Sequence, residues 1–398
     1  MARKEATGIK VSRHSLLFGL SYALDIMGKN NPSHSKSTAY LSIGLAHRLG
    51  LSRETITDIF YAALLHDIGI SDEHIKKTVY AVDMRRHCAA GYAMVERCPL
   101  SNNIARYIRY HHESYDGTGP FKLSGAEIPK GAEIIGLASL LDDDFGKTEY
   151  FDHGVFAQIK GWVEPRKNWF SPELVNAFLE IIEREHFLLD YFNRETKHLL
   201  HTKIADSENI YYQIDDIKKF ACCFAGLIDQ RTPSTFYHST GLSERAVQAA
   251  AHLGHDVYTQ DIMQIAGLLH DIGKLHIDPA VLHKDGPLSP SERFEMNKHS
   301  YYTRKVLERI DGFEEIVDIA ANHHERMDGS GYPYRIPGEE LGELERVMAI
   351  CDIYQALTEK RPYREEMSPS TAWKIIDNMA ANNHLDRSLT EKLKGAFL

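Results

Sequence analysis

Histidine and carboxylate side chains recur in the second half of the chain in a pattern that could hold metal ions. The dipeptide His270-Asp271 ends an apolar segment, and His323-His324 lies further along the chain. Imidazole nitrogens and carboxylate oxygens bind divalent metals, and the two oxygens of one carboxylate can bridge two ions. Two metals that share a carboxylate indicate metal-assisted hydrolysis of a phosphoester. The candidate metal ligands are His238, His270, Asp271, His299, His323, His324 and Asp352.

The elements that must position these residues are predicted to be helices. Apolar residues recur at helical spacing from Ile262 to Leu269, which predicts a helix with a buried face, and Gly273 suits its end. A buried carboxylate beside a buried imidazole is costly without a partner, and a metal is such a partner. The alternative for His270-Asp271 alone is an ordinary capped helix end, and for His323-His324 it is a solvated turn.

The chain contains an internal repeat. His66-Asp67 precedes His270-Asp271 by 204 residues, whereas His111-His112 precedes His323-His324 by 212 residues. The second copy therefore has a longer connection between its His-Asp pair and its next histidine. A repeat of this kind predicts two related domains, each with its own candidate site.

Both copies have helical periodicity and weak strand signals, so the sequence predicts an all-α fold with two tandem helical domains. The extra residues of the second copy are expected in the loop between Asp278 and Pro290. The stretch 203–209 is polar and loses the periodicity, which places the joint nearby. The predicted domains are residues 1–200 and residues 201–398.

Composition and charge narrow the classes of function. The chain has 398 residues, 43% of them hydrophobic, and no apolar run approaches the roughly 20 residues of a membrane span. A formal net charge of -10 argues against binding of polymeric nucleic acid, which requires a basic face. The start lacks an export signal and the five cysteines form no regular framework, so we expect reduced thiols and a cytoplasmic protein.

The second copy resembles the HD-GYP family of the HD phosphohydrolase superfamily. The resemblance rests on His270-Asp271 followed by Lys274, and on the segment from His323 to Pro333. It implies a bacterial second-messenger phosphodiesterase that cleaves a 3',3'-linked cyclic dinucleotide, either cyclic di-GMP or 3',3'-cGAMP. The product would be a linear 5'-phosphorylated dinucleotide, formed by a hydroxide that bridges two metals.

The resemblance also implies how the ligands are shared between two ions. Iron or manganese suits a mixture of imidazoles and carboxylates with open positions. Ser234 stands where some family members have a glutamate that holds a third metal, which favours two metals here. One ion would be held by His238, His270, Asp271 and Asp352, and the other by Asp271, His299, His323 and His324.

Residues around the metals would contact the substrate. Lys274 would hold a phosphate oxygen and offset the charge that develops on it. Ser300 and Thr303 depart from the usual proline and glycine of the family, and because neither is a ligand we give them no role. The substrate contacts that the resemblance implies are Lys274, Tyr332, Pro333, Arg361 and Arg364.

The first copy resembles the same family less completely. Ile70 replaces the lysine, and no tyrosine precedes Pro120. Ser139 aligns with Asp352, and Asp142 is too far along the chain to replace the lost carboxylate. We expect a structural or regulatory role for this degenerate copy. The residues that could still hold one metal are Asp67, His87, His111 and His112.

Two other functions fit parts of the pattern. A broader HD-superfamily nucleotide phosphohydrolase, similar to a 5'-nucleotidase, would use the same metal ligands, but Tyr332-Pro333 and Arg364 argue against it. A non-catalytic scaffold that binds a cyclic dinucleotide or recruits a GGDEF-family cyclase would need neither the complete ligand set nor Lys274. The sequence favours the cyclic dinucleotide phosphodiesterase.

Overall fold

The computed structural model describes residues 9–27, 33–70, 84–148, 150–193, 210–231, 238–359 and 366–397. Helices account for most of these residues, and the predicted all-α fold class is confirmed. β1 (Val11–Ser12) and β2 (Tyr211–Tyr212) form a two-stranded antiparallel pair with Val11 opposite Tyr212. Within the described residues, no helix combines the length and the apolar character that crossing a membrane requires.

The chain divides into two compact units. The N-terminal unit is Leu24–Ile210, and the C-terminal unit is Tyr211–Leu398 together with Met1–Ala23. The predicted domains, residues 1–200 and 201–398, assign the first 23 residues differently from this division. The polar stretch 203–209 lies outside the described residues, so the position of the domain joint stays a prediction.

Helices that follow one another along the chain build the N-terminal unit. They are α2 (His34–Arg48), α3 (Arg53–Leu65), α4 (Met84–Val95), α5 (Asn102–Tyr110), α6 (Lys130–Phe145), α7 (His153–Trp162), α8 (Pro172–Ile182) and α9 (Glu185–Phe192). The helix before them, α1 (Arg13–Met27), belongs mostly to the C-terminal unit, which includes its residues up to Ala23. Helix α2 packs against α3 and α6, while α5 packs against α3, α4 and α6. These contacts bring the ends of α3 and α5 close to the start of α2.

The C-terminal unit repeats this arrangement. Its helices are α10 (Ile214–Arg231), α11 (His238–His252), α12 (Val257–Leu269), α13 (Pro279–Leu282), α14 (Pro290–Leu307), α15 (Glu314–Ala321), α16 (Glu343–Thr358), α17 (Pro369–Ala381) and α18 (Arg387–Phe397), with a 3-10 helix at Ile272–His276. Helix α11 packs against α12 and α16, and α12 also packs against α15. The pairs α11–α12 and α11–α16 therefore correspond to α2–α3 and α2–α6.

Burial of α12 carries the His-Asp pair into the interior of its unit. Ile262 and Leu269 are each 1% exposed, and the residues of the predicted stripe between them are equally buried. Because α12 ends at Leu269, the next residues, His270 and Asp271, enter the core at the point where the backbone hydrogen bonding of the helix stops. The predicted apolar stripe is thus what places the candidate ligands.

The sequence context of Gly273 predicted that this residue ends the helix. The helix instead ends at Leu269, and Gly273 lies inside the 3-10 helix that follows. A Cβ atom at this position would lie 2.5 Å from the amide nitrogen of Thr303 and closer still to the carbonyl oxygen of His299. Both neighbours are backbone atoms of α14, so neither can rotate away. A glycine here lets the segment after Asp271 pack directly on α14 and brings Asp271 close to His299.

Replacing Gly273 with alanine is expected to destabilise the C-terminal unit by about 1–3 kcal/mol, because the added methyl group overpacks this contact. Gly226→Ala is the matched control, since a Cβ atom there meets no atom within 4 Å and the residue lies in α10. The control should gain about 0.5–1 kcal/mol from helix propensity. Denaturant unfolding measures both values, and equal effects of the two substitutions would contradict the close-packing explanation.

Candidate metal centre

The C-terminal unit brings all seven predicted ligands together. The side chains of six of them belong to residues that are between 1% and 7% exposed. The seventh, His324, is partly exposed. Their positions are His238 at the start of α11, His270 and Asp271 after α12, His299 in α14, His323 and His324 after α15, and Asp352 in α16.

The carboxylate of Asp271 lies at the centre of the cluster. Its Oδ2 is 3.0 Å from Nε2 of His270, and its Oδ1 is 3.5 Å from Nε2 of His299. The ammonium of Lys274 is 2.5 Å from the same Oδ2. The two oxygens of Asp271 therefore lie near two different imidazoles, as a carboxylate that bridges two ions requires.

Asp352 closes the cluster on the side of α16. Its Oδ1 is 3.3 Å from Nε2 of His238, and its Oδ2 is 3.9 Å from Nδ1 of His324. On the opposite side, the Nε2 atoms of His299 and His323 are 3.4 Å apart. Two imidazole nitrogens can approach this closely without strain only when at least one of them lacks a proton.

Backbone carbonyls fix the orientation of three of the imidazoles. In each ring, Nδ1 donates a hydrogen bond to the carbonyl of the residue three positions earlier, which leaves the lone pair of Nε2 facing the cluster. Such outer hydrogen bonds fix the tautomer of a metal-binding histidine and raise its basicity. The pairs are His270 with Gly267 at 2.7 Å, His299 with Met296 at 2.8 Å, and His323 with Ala320 at 2.7 Å.

His238 is oriented by a carboxylate instead. Its Nδ1 lies 2.9 Å from Oε2 of Glu359, a residue that the sequence analysis did not single out. Burial opposes protonation of His238, but the hydrogen bonds to Asp352 and Glu359 outweigh it and raise the pKa to about 9. Nε2 must therefore lose a proton before it can act as a ligand.

The pKa values of several other groups are shifted towards the protonation state that metal binding requires. Burial and the proximity of His299 lower the pKa of His324 to about 3, and burial together with His324 lowers the pKa of His323. Burial opposes ionisation of Asp271, yet the neighbouring His270 ring and the ammonium of Lys274 hold its pKa well below the usual range. Neutral imidazoles around ionised carboxylates are what a divalent cation binds.

The candidate ligand atoms fall into overlapping groups. Within each group the atoms lie within 4.8 Å of one another. Since two of the histidines belong to two groups each, the groups are neighbours, and their donor chemistry fits a pair of divalent ions. The groups are His238, His270 and Asp352; His270, Asp271 and His323; and His299, His323 and His324.

Residues predicted to contact the substrate border this cluster. The ring of Tyr332 lies 4.8 Å from that of His324, and Pro333 follows it along the same turn. Lys274 lies beside Asp271, as described above. Arg361 and Arg364, like Ser234, lie outside the described residues.

Glu325 shapes the turn that carries Tyr332, although the sequence analysis did not assign it a role. It is 3% exposed, and its Oε1 accepts a hydrogen bond of 2.8 Å from the amide of Tyr334 while Oε2 accepts one of 3.1 Å from Ile336. Glu113 does the same in the N-terminal unit, where it accepts from the amide of Phe121 at 2.6 Å. The recurrence of glutamate directly after both His-His pairs was the available signal.

Ser300 and Thr303 both contact the cluster, whereas we gave them no role from the sequence. The Thr303 hydroxyl donates to the carbonyl of His270 at 2.7 Å and accepts from the amide of Gly273 at 3.1 Å. Ser300 Oγ lies 3.2 Å from Nε2 of His299. Thr303 therefore ties the His-Asp turn to α14, and Ser300 places a hydroxyl beside a candidate ligand atom.

The N-terminal unit orients its first histidine in a corresponding way. Nδ1 of His34 lies 2.6 Å from Oδ2 of Asp142, and Oδ1 of Asp142 accepts a hydrogen bond of 2.6 Å from the Tyr191 hydroxyl. Burial opposes protonation of His34, but Asp142 outweighs it and raises the pKa to about 10. Asp142 thus supports His34 from behind, as Glu359 supports His238.

The position of Asp352 is occupied by a hydroxyl in the N-terminal unit. Ser139 Oγ lies 3.4 Å from Nε2 of His34, where Asp352 Oδ1 lies 3.3 Å from Nε2 of His238. The alignment of Ser139 with Asp352 therefore matches the geometry. One side of this cluster lacks the carboxylate that its counterpart contains.

The other candidate ligands of the N-terminal unit still converge. Asp67 Oδ2 is 3.6 Å from Nε2 of His66, and Asp67 Oδ1 is 3.5 Å from Nε2 of His87. Burial opposes ionisation of Asp67, but His66 and His34 outweigh it and lower its pKa. The rings of His111 and His112 follow α5, with centroids 4.0 Å apart.

Comparison with known proteins matches both units to one family. The HD domain family matches residues 20–153 and 223–389. The 3'3'-cGAMP-specific phosphodiesterase 1 of Vibrio cholerae is 28% identical over 94% of this chain and 90% of its own length. The 3'3'-cGAMP-specific phosphodiesterase 3 of the same organism is 24% identical over 91% of this chain and 90% of its own length.

A solved structure has the same fold. The crystal structure of a cyclic GMP-AMP specific phosphodiesterase of V. cholerae superimposes with a TM-score of 0.70 at 22% identity and covers 97% of this chain and 98% of its own. The predicted resemblance and the predicted tandem helical fold are both confirmed. Because the family match spans more than half of the chain, this protein belongs to the HD domain family.

Proposed function

We propose that this chain is a metal-dependent phosphodiesterase that hydrolyses a 3',3'-linked cyclic dinucleotide. The observation that carries the proposal is the convergence of seven histidine and aspartate side chains, Asp271 among them, in the C-terminal unit. A nucleotidase would use similar ligands, but the relatives that match this chain end to end are named as cyclic dinucleotide phosphodiesterases.

The preferred substrate in this proposal is 3',3'-cGAMP. Relatives named for that ligand align over 94% and 91% of the chain. Cyclic di-GMP phosphodiesterases of Pseudomonas aeruginosa and Thermotoga maritima align over 31% and 52% of it. Cyclic di-GMP is therefore the second candidate, and a direct comparison of rates decides between the two.

The seven ligands would hold two divalent ions, with iron or manganese favoured by the mixture of donors. When bound, these ions supply an activated water and neutralise charge on the phosphodiester. Asp271 would bridge the two positions, because its oxygens face His270 and His299 separately. His238, His270 and Asp352 would complete one position, and His299, His323 and His324 the other.

The surrounding residues would hold and orient the phosphodiester. Lys274 lies beside Asp271 and would bind a non-bridging phosphate oxygen through its ammonium. Tyr332 and Pro333 would contact the nucleotide, together with Arg361 and Arg364. Attack by water forms a new P–O bond and breaks the bond from phosphorus to O3', which takes up a proton, so the product is a linear 5'-phosphorylated dinucleotide.

The degenerate copy, residues 1–200, would support the catalytic copy, residues 201–398, in a structural or regulatory role. The candidate donors for a metal that it could still hold include Asp67, His87, His111 and His112, but Ile70 replaces the lysine and Ser139 replaces a carboxylate. The five cysteines form no regular framework along the chain, which suits a reducing cytoplasm. A GGDEF-family cyclase is a candidate protein partner.

Hydrolysis of 3',3'-cGAMP and cyclic di-GMP, measured side by side, tests the activity and its preference. The purified chain is expected to cleave 3',3'-cGAMP faster, and Asp271→Ala should lower the rate by more than the roughly 10–100-fold typical of residues that only support a metal ligand. Hydrolysis of nucleoside monophosphates but neither cyclic dinucleotide would favour the nucleotidase. Absence of hydrolysis with unchanged cyclic dinucleotide binding would favour the scaffold.

The two His-Asp pairs provide a matched comparison between the units. Because Ser139 and Ile70 leave the N-terminal cluster without a carboxylate and a lysine, His66→Ala should retain more phosphodiesterase activity than His270→Ala. Both histidines are at most 1% exposed and donate to a backbone carbonyl, so their effects on stability are comparable. Equal losses of kcat in the two variants would contradict the assigned division of roles.

A further inference from the structure

A cysteine lies among the histidines of the N-terminal unit. Cys88 follows His87 in α4, and its sulfur, one nitrogen of His87 and one nitrogen each of His111 and His112 all lie within 4.8 Å of one another. Helix α4 packs against α5, which His111 and His112 follow, and this contact closes the group. Four donor atoms from two neighbouring elements thus face a common centre.

Three of the four residues are buried, His112 is half-buried, and one nitrogen of the group lacks a hydrogen-bond partner among the described residues. Cys88 is 0% exposed and His111 is 1% exposed. His111 Nδ1 donates to the carbonyl of Ile108 at 2.7 Å, so Nε2 carries the lone pair that faces the other donors. No hydrogen bond to His111 Nε2 is formed by the described residues. A buried lone pair without a partner is costly, and a bound cation would satisfy it.

The corresponding position in the C-terminal unit has a different chemical character. Ser300 follows His299 there, as Cys88 follows His87 in the N-terminal unit. In the C-terminal unit the central carboxylate, Asp271, belongs to a group with two histidines of the cluster. In the N-terminal unit the carboxylate of Asp67 groups with His34 and His66 and is not a member of the four-donor group around Cys88, although its Oδ1 lies 3.5 Å from Nε2 of His87.

We propose that His87, Cys88, His111 and His112 form a zinc site with three nitrogens and one sulfur. Zn²⁺ prefers four ligands in a tetrahedron, and sets of histidine and cysteine are typical of its structural sites. Donors of one zinc ion lie about 3.3–3.8 Å apart, so a set within 4.8 Å closes on the ion with small side-chain shifts. On binding, the Cys88 thiol releases its proton to solvent and the thiolate binds the metal, with no change of oxidation state.

Four residues of the N-terminal unit were predicted to be able to hold one metal, namely Asp67, His87, His111 and His112. In the zinc site, Cys88 takes the place of Asp67. A complete set of four protein donors leaves no position for water or substrate, which makes the ion structural rather than catalytic. The two units would thus hold metals of different kinds, with oxygen and nitrogen donors in one and a thiolate in the other. The inference does not depend on which cyclic dinucleotide the C-terminal unit cleaves, or on whether it cleaves one.

Cobalt(II) substitution tests the sulfur ligand in the full-length protein. The metal-free protein titrated with Co²⁺ is expected to develop a near-ultraviolet thiolate-to-cobalt charge-transfer band that zinc abolishes. Cys88→Ser, which introduces the residue found at Ser300, should lose the band. Cys98→Ser is the matched control, because Cys98 is also buried in the N-terminal unit but belongs to none of the donor groups, and it should retain the band.

Absence of the band from the wild-type protein at saturating Co²⁺, or its persistence in Cys88→Ser, would overturn the proposal. X-ray absorption at the zinc edge of the wild-type protein gives a second reading that needs no variant. A sulfur shell at about 2.3 Å is the expected result. A spectrum explained by nitrogen and oxygen alone would contradict the site even if Cys88→Ser failed to fold. Loss of phosphodiesterase activity is not a readout here, so the two proposals fail separately.

Discussion

The ionised carboxylate of Asp271 is the group on which the C-terminal unit depends. It is 3% exposed, and burial alone would favour its neutral form. The surrounding imidazoles and the ammonium of Lys274 reverse that preference. A charge held in the interior requires partners on every side, and α11, α12, α14, α15 and α16 each bring one to it or to its neighbours. The close contact between Gly273 and α14 is what makes this convergence possible.

Helix ends account for much of the fixed orientation of the imidazole rings. The last turn of a helix leaves carbonyl groups without partners inside the helix, and His270 and His323 each use one of them to fix their rings. The same hydrogen bonds recur at His66 and His111 in the N-terminal unit. The two units therefore share the scaffold of their clusters, while single positions differ in the donors that they supply. Ser139 removes a carboxylate from one cluster, and Cys88 brings a thiol to it.

Patterns along the chain were sufficient to predict the helical class, the duplication and the convergence of the histidines. The apolar stripe that ends at Leu269 implied that His270 would be buried. The position of the His-His pair at a helix end implied that both rings could face one site. Contacts that support the ligands from distant segments could not be predicted. Thr303 reaches back across 33 residues to the carbonyl of His270, and Asp142 reaches His34 across 108 residues. No local periodicity encodes such pairings, because they depend on how the helices pack. The role of Glu359 was not predicted for the same reason, since its partner His238 lies 121 residues away.

Anomalous diffraction from crystals of the metal-loaded protein tests the central claim most directly. Data collected at the absorption edge of iron or manganese locate each ion without reference to activity. We predict two peaks in the C-terminal unit, each about 2.0–2.3 Å from its ligand atoms, with Asp271 contacting both ions. A single ion, or two ions of which only one contacts Asp271, would contradict the bridging role on which the proposed hydrolysis rests.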